Sequence, residues 1–161
     1  MPHVHVAEGV RADRRAVYEL FCKSEDFPEF MPNVVDIEIV ERGDGWVESH
    51  WQTDLDGAPL EWYERDEHDD VGFVIAFHLT EGDISKFEGC WRFEPCDDGT
   101  TVVCEFDYEL GVPLIEEVVG PTIQGKLEHN IQEMLRGAKA RLETLGASAA
   151  ELPCPSPSDS R

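Results

Sequence analysis

Basic residues are scarce: 13 Lys and Arg stand against 35 Asp and Glu in 161 residues, a formal net charge of −22. That shortage argues against nucleic acid or an anionic membrane surface as a partner, because both recruit Lys and Arg. Paired cysteines are missing. Cys22, Cys90, Cys96, Cys104 and Cys154 make an odd number with no Cys-x-x-Cys among them. Neither a disulfide framework nor a zinc site is expected, and a reducing cytoplasm fits best. No apolar run approaches the roughly 18 residues of a membrane span, so no stable membrane insertion is expected. The opening MPHVHVAEGV lacks a charged region followed by an apolar run, and no signal peptide is expected. A Rossmann fingerprint, a phosphate-cradling glycine loop and a Ser-His-Asp triad are absent as well. His3 and His5 sit two apart on one strand with no third ligand in pattern, so no metal is expected, and no cofactor is implied.

What is present is an ordinary globular composition, 41% hydrophobic, in a length that suits one domain with a real core. HVHVAEGV alternates and predicts a first strand over 3–10. Asp13 is placed to cap a helix in which Ala16, Val17, Leu20 and Phe21 recur at helical spacing. FPEFMPN predicts a short broken helical piece between two prolines. Six further strands follow. The first of them, VVDIEIVERGDG, places Val35, Ile37 and Ile39 on one face, and Asp-Gly and Glu-Gly breaks sit where hairpin turns belong.

After Pro113 the period changes. Leu127, Ile131, Met134, Leu135, Ala138 and Leu142 follow the three-and-four spacing of a buried stripe on one long helix. Gly120–Pro121 predicts a kink or break near its start, and Gly146 its end. Residues 147–161, rich in Ser and Pro, read as a disordered tail, and residues 1–146 as one domain. A meander of antiparallel strands with one long C-terminal helix is an α+β layout. A strongly curved sheet of about seven strands can wrap that helix without touching it everywhere, and the gap between them is a cavity.

Three segments carry a resemblance: AVYELFCKSEDFPEFMPNVVDIEIVERGDG, FEGCWRFEPCDDGTTVVCEFDYEL and PLIEEVVGPTIQGKLEHNIQEML. They cover nearly all of residues 3–145. On them the chain resembles the START-like (SRPBCC) superfamily of helix-grip, Bet v 1-like proteins, in particular its polyketide cyclase/aromatase and coenzyme Q-binding branch. The resemblance implies a deep apolar cavity that holds a hydrophobic small molecule. FEGxWRF and the Gly-Pro helix start look like the coenzyme Q-binding proteins. GAPLEWYERD looks like the aromatase/cyclases, in which a Trp, a small hydroxyl residue and an Arg alternate along this strand toward the pocket. Here those positions are Trp62, Glu64 and Asp66, so the Trp is kept and the hydroxyl and Arg are not. Arg65 falls one residue off and points outward, unless the register shifts by one.

At period two, Trp62, Glu64 and Asp66 share a face of LEWYERDEH. If that face lines a cavity, Trp62 is a wall for a flat ligand and the acids are its polar handles. Equally, Trp62 can be core, with the acids near the strand end in water. Phe87, Gly89, Trp91 and Phe93 share a face of KFEGCWRF, and Gly89 either makes room for a ligand or marks a bulge. Trp51 adds an aromatic flanked by Ser49 and Thr53. Tyr108, on a face with Cys104 and Phe106, can bond a ligand carbonyl or a backbone carbonyl. His50 and His78 fall on outward faces.

Two functions follow. An aromatase/cyclase would fold a poly-β-ketone chain, delivered by an acyl carrier protein, and direct its aldol closure and dehydration. Glu64 would be the acid–base group, and Tyr108 or Trp62 would orient carbonyls. Trp51, Trp62, Asp66, Phe87, Trp91, Phe93, Ile131 and Met134 would contact the ligand. The alternative is a non-enzymatic carrier of a quinone, isoprenoid or lipid, as a monomer or homodimer. It needs only the apolar walls and an opening near Gly111–Pro113 and Phe27–Pro32.

Overall fold

The computed structural model describes residues 3–55, 57–110 and 113–151. In chain order these form β1 (His3–Val10), α1 (Arg14–Cys22), a 3-10 helix (Ser24–Glu29), β2 (Val34–Gly43), β3 (Trp46–Leu55), β4 (Ala58–Asp69), β5 (Val74–Gly82), β6 (Lys86–Cys96), β7 (Gly99–Glu109) and α2 (Pro113–Glu151). All seven strands join one antiparallel sheet in the order β1-β7-β6-β5-β4-β3-β2. The chain leaves β1, crosses through α1 and the 3-10 helix to the far edge, and returns as a meander. This is the α+β helix-grip architecture.

Local chemistry explains the elements. The Asp13 carboxylate accepts from the Arg15 backbone N–H at 3.1 Å and caps α1. Val17, Tyr18 and Phe21 then turn one face of the helix into the core. Along β3, Val47, Ser49, Trp51, Thr53 and Leu55 are buried at every second position. In β2 the simple alternation fails. A bulge between Val34 and Asp36 turns Val34 inward and leaves Val35 60% exposed. Ile37 keeps its inward place. A single inserted residue reverses the face of everything before it.

Ile131, Met134, Leu135, Ala138 and Leu142 are the buried stripe of α2. Gly137 lets the helix seat closely, because a Cβ there would overlap the Phe30 carbonyl oxygen. Toward β1, Gln124 Nε2 donates to the His3 carbonyl at 2.6 Å and Lys139 Nζ to the Gly9 carbonyl at 2.9 Å. On the other flank, Asn33 Nδ2 donates to the Asn130 carbonyl at 2.9 Å. Asn130 Nδ2 in turn donates to the Asp54 carbonyl at 3.4 Å. The helix runs on through Gly120–Pro121 and past Gly146 to Glu151, where the sequence pattern placed a break and an end. At Gly146 a helical glycine costs only about 1 kcal/mol, too little to force a stop. The expected tail therefore begins inside α2, and its residues 152–161 lie outside the described residues.

Candidate active site

The concave face of the sheet and α2 enclose a cavity of about 60 Å³. Its walls are aromatic. Trp51 and Trp62, partners across β3 and β4, stack at 5.5 Å between centroids and 14° between planes. Phe87 continues from Trp62 at 5.8 Å and stacks on Phe106 at 4.6 Å. Trp91 and Phe77 close the far end, and Leu127, Asn130, Ile131 and Met134 of α2 form the lid. Among the described lining side chains, Glu64 supplies the one ionisable carboxylate, with Thr53, Asn130 and the Cys104 thiol as further polar groups.

Trp51 and Trp62 are each held through the indole N–H. Trp51 Nε1 donates to Ser49 Oγ at 2.9 Å, and Trp62 Nε1 to Glu64 Oε1 at 2.7 Å. Both bonds run between positions two apart on one strand, the spacing at which side chains share a face. Ser49 and Glu64 are themselves opposite one another across the two strands, as are Val47 and Asp66. Opposite Tyr63 and Glu64, the β4–β5 pairing carries a bulge, a device that bends a strand and re-aims its side chains.

Glu64 and Asp66 are each only 6% exposed. Burial holds the Glu64 carboxyl above the usual carboxylate range, opposed by hydrogen bonds from Asp66 and Trp62. Asp66 is pushed further up, first by burial and then by the neighbouring Glu64 carboxylate. Asp66 Oδ1 meets no donor from any other described group. A hydrogen bond between the two carboxyls therefore requires that one of them carry a proton.

Trp51, Trp62, Glu64, Phe87, Trp91, Ile131 and Met134 thus meet at one cavity. Asp66 sits behind Glu64, outside the lining. Phe93 packs in the core against Tyr18 and Phe21, with centroids at 5.6 and 5.2 Å. Tyr108 is buried, and its hydroxyl donates to Gln124 Oε1 at 3.0 Å, tying β7 to α2 rather than facing the void. Space at Gly89 is taken by Phe106 and the Glu105 carbonyl, which a Cβ would overlap, so its role is close packing of β6 on β7. Arg65 points away from the cavity, over the Trp46 ring at 4.1 Å and toward Glu48 at 3.2 Å. His78 is exposed, and His50 lies on Tyr63 on the outer face. His3 and His5 pair with Asp107 and Glu105, and no group of three metal-binding side chains occurs among the described residues. Phe27 and Met31 are fully packed, with Phe27 edge-on to Trp51 at 5.8 Å, while Gly111 and Val112 lie outside the described residues.

Asn130 was not singled out from the sequence. The signal was there: positions 127, 130, 131 and 134 form one helical stripe, and a polar member of an apolar stripe faces the interior.

Comparison with known proteins gives four likenesses. The sequence model of the family described as "Polyketide cyclase / dehydrase and lipid transport" matches residues 10–135. The actinorhodin polyketide synthase bifunctional cyclase/dehydratase of Streptomyces coelicolor is 27% identical over 135 residues, covering 83% of this chain and 42% of that protein. The chain therefore spans less than half of that relative's length. Among solved structures, TTHA0849 from Thermus thermophilus is 30% identical with a TM-score of 0.84, over 91% of this chain and 99% of the other. The Zhui aromatase/cyclase from a Streptomyces species has a TM-score of 0.83 at 21% identity, over 92% and 97% of the two chains, a likeness of fold.

Proposed function

The chain belongs to the polyketide cyclase / dehydrase and lipid transport family, and from that premise we propose that it is a cyclase that folds a poly-β-ketone chain in its aromatic cavity and promotes aldol closure and loss of water. One observation supports this most: an ionisable carboxylate, Glu64, stands on the wall of an otherwise almost wholly apolar cavity and is oriented by the indole of Trp62. A passive apolar container has no use for a buried acid, whose desolvation is costly. An acid–base catalyst does, because burial brings a carboxyl toward the roughly neutral proton affinity that suits proton transfer.

The reaction assigns work to the chain's own groups. Trp51, Trp62 and Phe87 give flat faces against which successive ketide units stack, so that one ring closure is favoured among several. The Glu64 carboxylate takes a proton from the carbon between two carbonyls, leaving the electron pair on the enolate. That carbon attacks the chosen carbonyl. Glu64 returns that proton to the new alkoxide, giving a hydroxyl, then takes the second proton from the same carbon and passes it to the hydroxyl, which leaves as water as the carbon–carbon double bond forms. The substrate would arrive on an acyl carrier protein. A cavity of about 60 Å³ lies far below the roughly 300–1,000 Å³ of ligand pockets, so loading requires α2 and the β3–β4 end to part. The Asn33–Asn130–Asp54 hydrogen bonds lie where that parting would occur.

The second reading, a carrier of a quinone, isoprenoid or lipid, draws on the mostly apolar lining. Product profiling by mass spectrometry separates the two. Added to a reconstituted minimal polyketide synthase, a cyclase shifts the spontaneous mixture toward one cyclised product. A carrier leaves the mixture unchanged and instead retains an apolar ligand in native mass spectrometry.

A further inference from the structure

Glu64 and Asp66 occupy alternate positions of β4, face the same side, and lie within hydrogen-bond reach of each other. Among the described residues, no Lys or Arg shares their interior. Arg65 between them turns to Glu48 and Glu67 outside. Around the pair, β7 contributes the Cys104 thiol and α1 the Cys22 thiol, while His78 of β5 is exposed on the outer face. The residues α2 presents to the cavity are Leu127, Asn130, Ile131 and Met134, none titratable. Two like charges at contact distance, away from water, repel by several kcal/mol even with generous screening. One proton must therefore stay on the pair.

The donors decide which carboxyl keeps it. Glu64 Oε1 already accepts the Trp62 indole N–H at 2.7 Å, and the imidazole of His78 favours its charge. Asp66 has an oxygen with no donor among the described residues. Negative charge belongs where donors converge, and the proton where they do not.

We propose that Asp66 is a positioning residue that stays protonated and donates its O–H to Glu64, so that the pair carries a single negative charge, placed on the cavity-facing member. This rests on reading Glu64 as the acid–base group and explains how that group remains an ionised base in an apolar cavity. Through the proton cycle, Asp66 keeps its own proton. Only the Glu64 oxygen exchanges with substrate, while the Trp62 N–H and the Asp66 O–H hold the carboxylate in one orientation.

The test needs no substrate, so its failure is distinct from failure of the cyclase reading. In the full chain, the ¹³C carboxyl signals of Glu64 and Asp66 and the ¹⁵N–H signal of the Trp62 indole are followed against pH. Glu64 should lose its proton first, with the Trp62 signal moving in step, while Asp66 stays protonated to higher pH. Asp66→Asn keeps an N–H donor in place and should leave the Glu64 midpoint within about half a unit. Asp66→Leu removes the donor and should raise the midpoint by about one to two units. Asp66 ionising before Glu64 in the wild type would overturn the proposal, and that result needs no variant to fold. The Asn and Leu variants shifting the Glu64 midpoint equally would overturn it too.

Discussion

Asp66 shows how one buried acid sets a pH dependence for folding. Its proton affinity in the folded protein is well above the ordinary value, chiefly through burial. Unfolded, the same carboxyl ionises near pH 4. A group whose folded value is raised contributes stability that is fully present below the unfolded value and is lost as pH rises toward the folded one. Asp66→Asn removes that loss. In urea denaturation, the variant should gain on the wild type by about 1 kcal/mol or more between pH 4.5 and 8.5. Equal differences at both pH values would mean that Asp66 is ionised and solvated in the folded protein. Whether this side chain is buried or wet was open in the sequence, where both faces of LEWYERDEH are mixed. Parity puts Trp62, Glu64 and Asp66 together. Only the surrounding strands show that their side is the inside.

At the scale of elements, α2 tests packing against propensity. Gly137→Ala should stabilise an isolated helix by about 1 kcal/mol. Here a methyl group would strike the Phe30 carbonyl, a backbone atom that cannot turn aside. Forcing it in costs roughly 1–3 kcal/mol, so the clash should win and the melting temperature should fall. A rise would show that the helix does not seat on the Phe30–Met31 segment. Elements with a clean period were legible in the sequence: β1 and α1 begin and end where alternation and the Asp13 cap place them. β2 was not, because a bulge leaves no mark in an apolar run such as Val34–Val35 and reverses its faces. The role of Tyr108 was equally hidden, since its partner Gln124 lies sixteen residues on, in another element.

For the whole molecule, the net charge of −22 opposes compaction through self-repulsion. The surface ion pairs act the other way but weakly, at about 0–1 kcal/mol each. Screening should therefore help more than it harms. As sodium chloride rises from 0.1 M to 1 M, the screening length falls from about 10 to about 3 Å, and the melting temperature should climb. A flat or falling curve would show that the acidic surface is locally balanced.

In the proposed function, the curved sheet and gripped helix hold one carboxylate against a folded ketide chain. The most direct measurement is the rate of correct ring closure by wild type and Glu64→Gln, with the same reconstituted synthase and with folding checked by circular dichroism. Gln retains the shape, and its side-chain carbonyl still accepts from the Trp62 indole, so the fold and ligand affinity should hold. The rate should fall by roughly a hundredfold, the low end for a lost general acid or base. Unchanged rates and products in a folded Glu64→Gln would contradict acid–base catalysis at this position.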